Sequence, residues 1–401
     1  MTVTVAGRLP TEADLERWRS ADQAARPRRL AALRGRMAEE GVGGYFGVRR
    51  ENIRYLTGLE LAEGEEKVAA NSGQFLVSAI DLVVLADSRY TVQAAEQCAE
   101  ARIERVYNDF FERWPALLEQ VGGPKRVAVE AGFVSHLMWQ RMAAAAPGVE
   151  LVPVENWVET ERQVKEPSEI ERVAAACAVA DAALEWLLPS LRPGLTEAEV
   201  ALQLEWEMRT KGAEALAFDV AVLSGPKSAL PHGSPGARRL AAGEVLLFDF
   251  GAQVCGYRSD MTRTMFVGEP RSADLEIYAL VARAQQAAID ALAHALSAGG
   301  ERPSGRAIDK IARDVIREAG YGDHYGHGLG HGIGLATHEL PGLGLTAPDT
   351  PLPSPTVFTV EPGVYLDGVM GVRIEDTLWF DAEAGRLDRL TLFPREVTVV
   401  G

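Results

Sequence analysis

The sequence predicts an α/β domain over residues 1–158, followed by an α+β domain over residues 159–401. In the first part, short apolar strand patterns alternate with helical patterns, which favours an α/β arrangement. In the second part, two pairs of helical segments each lead to a hairpin pattern, which indicates an internal pseudo-twofold repeat. The length of 401 residues agrees with two or three domains.

The composition is that of a globular protein, with 47% hydrophobic and 24% charged residues. A net charge of −16 argues against nucleic acid and anionic membranes as partners. The three cysteines are scattered without metal or redox spacing, which fits a reducing compartment. Met1–Pro10 lacks a signal-peptide pattern, and we expect no apolar stretch as long as a membrane span, so we expect a cytoplasmic protein.

The N-terminal part is expected to begin with a helix over Glu12–Glu40 that ends at Gly41. Further helices are predicted at Tyr90–Glu100 and Ser135–Ala146, and strands at Gly44–Val48, Phe75–Ser78, Leu82–Ala86, Val127–Glu130 and Leu151–Val154. The sequence shows no Gly-rich phosphate loop or dinucleotide fingerprint among them. We therefore interpret this domain as a structural, dimerising domain that covers the site of the other.

The C-terminal part begins near Pro167, which suits the first turn of a helix. Helical patterns follow over Ile170–Leu188 and Glu197–Lys211, then a strand at Phe218–Leu223 and a hairpin. The same order returns with helices at Ala273–Leu296 and Arg306–Ala319, and with a second hairpin. The similar offsets favour a duplicated helix–helix–hairpin half.

The first hairpin, Leu246–Thr264, carries two aspartates that are symmetric about Val254 and Cys255. This symmetry predicts that Asp249 and Asp260 lie directly opposite each other on one face. Phenylalanines on either side of Asp249 point to the other face, so the aspartate face is expected to be enclosed. Two opposed, half-buried carboxylates require a proton or a cation between them.

The second hairpin, Thr359–Phe380, repeats this arrangement with two glutamates. Glu361 and Glu375 are symmetric about Gly368, and Asp367-Gly368 is a strong turn signal. Four carboxylates on two hairpins would form a hard, oxygen-rich site suited to paired divalent ions.

A glycine-rich segment, Tyr325–Leu335, offers a nitrogen ligand. Every even position from 326 to 334 is glycine, which disfavours a helix and predicts an extended segment. One face is then bare backbone, which allows the close approach of a strand or ligand. The other face carries His327, Leu329, His331 and Ile333.

These ordered motifs resemble the pita-bread metallopeptidases: methionine aminopeptidase, aminopeptidase P, prolidase and the metal-free creatinase. The resemblance covers roughly residues 160–401, and the segment around Leu230-Pro-His-Gly resembles the prolyl-peptidase branch. A weaker match in the N-terminal part lies in Asn52–Gly58. The resemblance implies two divalent metal ions, Mn²⁺ being expected and Co²⁺ or Zn²⁺ possible, bound by Asp249, Asp260, His331, Glu361 and Glu375.

The resemblance also implies how these ligands are shared. One ion would be bound by Asp249, Asp260 and Glu375, and the other by Asp260, His331, Glu361 and Glu375. Glu361 would also take the proton from the attacking water.

Other residues are expected to act on the substrate or on the ligands. By resemblance, His232 and His338 lie beside the scissile bond and hydrogen-bond the substrate. His327 resembles a position near the substrate, and Tyr365 a supporting one. Arg373 shares the face of Glu375 and is expected to pair with a metal-binding carboxylate.

The resemblance favours hydrolysis of Xaa-Pro peptides by a homodimer, and a prolidase (Xaa-Pro dipeptidase) over an aminopeptidase P. Relatives often bind the proline carboxylate through an arginine between the second histidine and Glu-Pro-Gly. This chain has neither Arg nor Lys between His338 and Glu361, so a dipeptidase would need a cation from elsewhere, such as Arg49, Arg50 or Arg54. A non-peptidase hydrolase on the same scaffold and an inactive binding protein are further alternatives.

Overall fold

The computed structural model describes residues 7–61, 73–297 and 301–401. The chain forms two compact units, one of Arg19–Glu161 and one of Met1–Trp18 with Arg162–Gly401.

The smaller unit is built on a six-stranded sheet in the order β4-β3-β2-β1-β5-β6. The β1–β2 and β2–β3 pairs are antiparallel and the other three pairs are parallel. The strands are β1 (Gly44–Gly47), β2 (Gln74–Ser78), β3 (Leu82–Ala86), β4 (Arg102–Arg105), β5 (Arg126–Glu130) and β6 (Glu150–Val154).

Helices alternate with these strands, as the sequence predicts. They are α1 (Glu12–Glu39), α2 (Arg50–Thr57), α3 (Thr91–Gln97), α4 (Phe110–Gln120), α5 (His136–Ala145) and α6 (Trp157–Arg162). Phe46 and Val129 of the sheet pack in one buried cluster with Trp114 of α4 and Met142 of α5.

The larger unit contains two helix pairs. The first is α7 (Pro167–Leu187) and α8 (Glu197–Thr210), and the second is α9 (Ser272–Ser297) and α10 (Gly305–Glu318). Capping explains where three of them begin: α7 starts with a Glu166/Glu169 capping box, α8 with a Thr196/Glu199 box, and α10 after Ser304. Short 3₁₀ turns lie at Leu188–Ser190, Gly225–Ala229 and Gly322–His324.

The first helix pair covers strands that lead into and out of the first hairpin. These are β7 (Ala215–Leu216), β8 (Ala221–Ser224), β9 (Glu244–Phe250), β10 (Ala252–Val254), β11 (Tyr257–Arg258) and β12 (Met261–Val267). Leu184, Leu204, Phe248 and Phe250 are fully buried in this layer.

The second pair covers the strands of the other half. These are β13 (Gly330–Gly332), β14 (Glu339–Leu343), β15 (Thr356–Val360), β16 (Gly363–Leu366), β17 (Met370–Arg373), β18 (Asp376–Asp381), β19 (Arg386–Arg389) and β20 (Val399–Val400). Val281, Ile308, Phe358 and Leu378 belong to its buried cluster. Each half thus places a helix pair against the hairpin-bearing strands, in line with the predicted duplication.

One helix corrects the expectation that no apolar stretch reaches the length of a membrane span. Within the described residues, Pro167–Ser190 is long and apolar enough by length and composition. However, 67% of its most apolar window is buried inside the protein. Burial of most of its surface explains the apolar composition of this helix.

Candidate metal centre and active site

The first hairpin places Asp249 and Asp260 near each other, but not directly opposite. Its turn consists of Cys255 and Gly256, both with positive φ (48° and 81°), as two-residue hairpin loops of one common type require. Val254 therefore pairs with Tyr257, and Asp249 pairs with Thr262. The predicted opposition of the two aspartates is wrong by two residues, because the turn centre lies one residue later than expected. Because side chains alternate along a strand, a shift by two positions keeps Asp249 and Asp260 on the same face.

The second hairpin has the predicted register. Gly363 pairs with Arg373 and Val360 pairs with Asp376, so the strands are symmetric about Gly368. The two glutamates lie between these paired stretches, and their amides bond elsewhere. Glu361 N donates to Leu329 O at 2.8 Å, and Glu375 N donates to Thr262 O at 3.1 Å. The second bond ties this hairpin to the first.

The glycine-rich segment brings its backbone close to both neighbouring strands. A Cβ added to Gly330 would lie 2.0 Å from Thr359 O, and one added to Gly332 would lie 2.2 Å from Leu340 O. The close approach agrees with the prediction, but only Gly330–Gly332 forms a strand. The four side chains predicted to share one face do not share one environment. Leu329 and Ile333 are fully buried, whereas His327 and His331 line a cavity.

The five expected ligands line one cavity of about 590 Å³, together with His232, His327, His338 and Arg373. Ligand atoms of Asp260, His331 and Glu375 lie within 4.8 Å of one another. His331 Nε2 lies 3.2 Å from Glu361 Oε1 and 3.7 Å from Asp260 Oδ2. Nδ1 lies 3.1 Å from Gly332 O, which can only accept, so Nδ1 carries a proton and Nε2 is directed at the carboxylates.

The electrostatics of the cluster show an excess of negative charge. Burial raises the pKa values of Asp249, Asp260 and Glu375. The charges of Glu375 and Glu361 raise the pKa of Asp260 further, and the charge of Glu361 raises that of Glu375. Burial also opposes ionisation of Glu361 and His331, but their mutual hydrogen bond and the neighbouring opposite charges together outweigh burial. The pKa of Glu361 is lowered to about 2, and that of His331 is raised to about 9. The cluster therefore retains protons unless a cation replaces them.

The donor set fits a hard divalent cation. Among the described residues, Glu375 Oε1 is buried with no hydrogen-bond partner. Its other oxygen, Oε2, accepts from Thr262 Oγ1 at 2.7 Å. An orphaned buried carboxylate oxygen is costly, and a metal ion would satisfy it.

Arg373 links both hairpins to the cavity wall. It donates to Asp249 Oδ2, to Tyr365 Oη at 2.8 Å and, through Nε, to Thr262 Oγ1 at 2.8 Å. Since Thr262 donates in turn to Glu375, one guanidinium orients a carboxylate on each hairpin. His327 Nε2 lies 2.9 Å from Tyr365 Oη, so Tyr365 connects this histidine to the same network. The structure thus gives Arg373 the carboxylate partner that its strand position predicts.

The two remaining histidines lie on different loops. His232 is exposed and follows Pro231, whose carbonyl accepts from Arg373 at 3.4 Å. His338 precedes β14, and its ring centroid lies 4.2 Å from that of His331. Partial burial and the charge of His331 lower the pKa of His338 to about 4, so it is neutral at pH 7.

Two threonines of the site were not among the sequence-based candidates. Thr262 holds Glu375, and Thr359 Oγ1 donates to Glu361 Oε1 at 3.0 Å while accepting from His331 N at 3.1 Å. Each lies two residues from a carboxylate ligand along the chain, and alternation in a strand would have indicated the shared face.

Residues 171–382 match metallopeptidase family M24, and residues 29–164 match the Creatinase/Prolidase N-terminal domain. The first match covers more than half of the chain.

The chain belongs to metallopeptidase family M24.

Similar proteins agree with this assignment over nearly the whole chain. The uncharacterized peptidase YqhT of Bacillus subtilis (strain 168) is 33% identical over 374 residues, 93% of this chain and 100% of that protein. A solved Xaa-Pro dipeptidase from Bacillus anthracis is 33% identical with a TM-score of 0.83, covering 93% of this chain and 99% of that one. The X-Pro aminopeptidase from Thermotoga maritima MSB8 is 33% identical with a TM-score of 0.80, covering 92% and 99%.

These similarities confirm the fold predicted for this M24 member, a creatinase-type N-terminal domain followed by a pita-bread domain. They also confirm that it is a metallopeptidase. Membership of family M24 implies that a divalent metal binds, and the buried Asp–His–Glu cluster is a set of donors that fits it.

Proposed function

We propose that this M24 peptidase is a prolidase, which cleaves the Xaa-Pro bond of dipeptides. The observation that carries the proposal is one cavity that holds the five metal-ligand candidates with His232 and His338. The similarity to a Bacillus anthracis protein named as an Xaa-Pro dipeptidase supports this substrate class.

Two ions, which we propose to be Mn²⁺, would be held as the resemblance implies. Asp249, Asp260 and Glu375 would hold one, and Asp260, His331, Glu361 and Glu375 the other. Bound divalent ions lower the pKa of water and polarise a scissile carbonyl group.

The side chains of the protein perform the remaining steps. Glu361 is ionised at neutral pH, the form that a general base needs to accept a proton from water. Thr359 Oγ1 fixes its Oε1 by a hydrogen bond, so its position is defined before substrate enters. His338 is a neutral imidazole, which can donate a hydrogen bond to the oxygen that becomes charged.

The cavity wall has apolar groups suited to a proline ring. Phe218, Ala221 and Pro231 line the cavity beside the polar residues. The Xaa-Pro bond is a tertiary amide without an N–H, so an apolar surface serves it better than a carbonyl acceptor.

An aminopeptidase P is the second candidate, favoured by one specific observation. Residues 339–360 contain neither Arg nor Lys, so the stretch that often supplies the proline-carboxylate ligand in prolidases has no cation. Arg373 lines the cavity but is already paired with Asp249. An aminopeptidase P has no need of this cation, because the carboxylate of its longer substrate lies further from the scissile bond.

Hydrolysis of Met-Pro, Met-Pro-amide and Met-Pro-Gly, with added Mn²⁺, distinguishes these functions. A prolidase should cleave Met-Pro with the highest kcat/KM and lose activity on the amide, which lacks the carboxylate. Faster cleavage of Met-Pro-Gly would establish the aminopeptidase instead, and Met-Gly serves as the control without proline. No cleavage of any Xaa-Pro peptide would overturn both.

Elemental analysis and anomalous diffraction test the metal centre. We expect two Mn²⁺ ions per chain at the five ligands, and density at none of these residues in a metal-replete crystal would contradict it. We further propose a homodimer, as the family resemblance implies, and a cytoplasmic location, which the buried thiols Cys98 and Cys177 support. Light scattering should give twice the monomer mass, and cell fractionation should recover the protein with the cytoplasm.

A further inference from the structure

A buried ion pair lies next to the ligand-bearing strands without lining the cavity. Asp376 is 0% exposed and Arg263 is 1% exposed, with Arg263 Nη2 2.7 Å from Asp376 Oδ1. Asp376 directly follows the ligand candidate Glu375, and Arg263 directly follows Thr262. Burying such a pair is costly unless further hydrogen bonds satisfy both groups.

The guanidinium of Arg263 joins the two hairpins through backbone carbonyls. Nη1 donates to Thr262 O at 2.9 Å and also to Glu375 O. Its other donors reach Phe393 O at 2.8 Å and Pro394 O at 2.9 Å. Arg263 therefore fixes β12 against the residue that carries Glu375.

The carboxylate of Asp376 extends this connection to the third ligand-bearing segment. It accepts from Thr391 Oγ1 at 2.7 Å and from Gln285 Nε2 at 3.0 Å. The same Gln285 Nε2 donates to Val360 O at 3.1 Å, and Val360 immediately precedes Glu361. Asp376 thus connects, through Arg263 and Gln285, the backbone beside Asp260, Glu361 and Glu375.

We propose that Asp376 is a positioning residue, which holds the ligand-bearing backbones at metal-binding spacing through Arg263 and Gln285. The physical need is clear, since the clustered carboxylates repel one another and their own charges favour separation. Partners that orient metal ligands contribute substantially to metal affinity even though they never touch the ion. The inference rests on the metal centre proposed above, but not on which peptide is cleaved.

A structural role alone would lower stability without changing metal affinity, so the test measures both. The variant is Asp376→Asn, which keeps the shape and removes the charge opposite Arg263. Metal-free protein is titrated with Mn²⁺ in a calorimeter, and its unfolding midpoint in urea is measured separately. We expect Mn²⁺ to bind about 10- to 100-fold more weakly than to the unchanged chain.

The matched control is Asp14→Asn, in the same compact unit. Asp14 is also buried and accepts hydrogen bonds from Arg8, Thr11 and Arg17, none of which lies on a ligand-bearing strand. This variant should lose stability and keep the Mn²⁺ affinity of the unchanged chain. Equal losses of affinity in both variants would overturn the positioning role.

Two milder variants keep the test decisive if Asp376→Asn does not fold. Thr391→Val and Gln285→Met each remove one hydrogen bond from Asp376 and approximately conserve side-chain volume. Each should weaken Mn²⁺ binding by about threefold or more. Binding within twofold of the unchanged chain in every variant that folds would overturn the proposal. Failure to cleave Xaa-Pro peptides would overturn only the substrate assignment, because this readout uses the metal alone.

Discussion

Asp260 is a buried ligand candidate surrounded by the carboxylates of Glu375, Asp249 and Glu361. Burial raises its pKa well above that of an ordinary aspartate, and the charge of Glu375 raises it further. In the proposed centre Asp260 and Glu375 would each contribute to both ions.

Replacing Asp260 by alanine tests this position. We expect turnover of a Xaa-Pro peptide under saturating Mn²⁺ to fall at least 100-fold, about 2.7 kcal/mol in the barrier. The metal-free variant should be at least as stable as metal-free wild type, because a buried carboxyl group crowded by other carboxylates has been removed. Steady-state kinetics and thermal unfolding measure the two effects, and activity within tenfold of wild type would refute the bridging role.

Glu339 belongs to a second buried charge cluster, adjacent to His338 in the chain. Its carboxylate bonds to Lys165 Nζ at 2.8 Å and to Arg162, and all three side chains are at most 3% exposed. Burial alone would raise the pKa of Glu339, but the charges of Lys165 and Arg162 outweigh it and lower the pKa to about 2.

This depressed pKa predicts a definite pH dependence for Glu339→Gln. The unfolded value is 4.5, so the ion pairs contribute fully above pH 4.5, and the contribution is lost as pH falls toward 2. At pH 7 the variant should be about 3 kcal/mol less stable than wild type. Urea unfolding at pH 7, 4.5 and 3 measures this deficit, which should shrink only below pH 4.5. A deficit that is independent of pH would show that packing, not charge, is responsible.

For single residues, the sequence predicts which side chains share a face of one strand, but not which side chains meet across the fold. The ligand candidates came from residue types at recurring spacings and from the family resemblance, and Thr262 and Thr359 could have been inferred from strand alternation. The pairing of Arg263 with Asp376 could not, because the partners are 113 residues apart and only the fold brings them together.

The hairpins show how turn chemistry limits prediction at the level of elements. Asp367-Gly368 marks the centre of the second hairpin, and the observed register follows from it. In the first, Cys255 adopts a positive φ, which is uncommon outside glycine, asparagine and aspartate. The residue type of Cys255 does not indicate a positive φ, so the predicted turn centre lies one residue too early.

The glycine-rich strand gives a prediction about close packing. Gly330→Ala would place a Cβ 2.0 Å from Thr359 O, a backbone atom that cannot move without displacing β15. We expect a loss of stability of about 1–3 kcal/mol and weaker Mn²⁺ binding, because His331 and Glu361 move apart. Urea unfolding and calorimetric titration measure the two losses.

Gly326 provides the matched control in the same segment. A Cβ at Gly326 would meet no atom within 4 Å among the described residues, and its φ is not positive. Gly326→Ala should leave stability and Mn²⁺ affinity unchanged. If both alanines behave alike, the close approach of β13 to β15 is not what requires glycine.

For the whole molecule, dipeptide specificity depends on which cation binds the substrate carboxylate, since residues 339–360 contain neither Arg nor Lys. Among the N-terminal candidates, Arg49 pairs with Glu159 and Arg54 with Glu60, each at 2.8 Å. A dipeptide carboxylate would therefore compete with an existing partner for either one.

We predict that alanine at one of Arg49, Arg50 or Arg54 raises KM for Met-Pro about tenfold, or 1.4 kcal/mol of binding. KM for Met-Pro-Gly should rise less, since its carboxylate lies further from the scissile bond. Arg126→Ala is the control, because Arg126 forms an exposed pair with Glu150 in the same N-terminal unit. Unchanged KM in all three variants, with better cleavage of the tripeptide, would make the enzyme an aminopeptidase P.

The hydrogen bond from Glu375 N to Thr262 O joins two residues that are synthesised at very different times during translation. Asp249 and Asp260 are synthesised first, and more than a hundred residues follow before Glu375 emerges. A nascent chain that ends before residue 361 holds only two aspartates and one histidine of the centre, too few for tight divalent binding. Tight binding of metal at the proposed centre therefore has to follow the synthesis of Glu375, and a bound ion would mark chains whose two hairpins have come together.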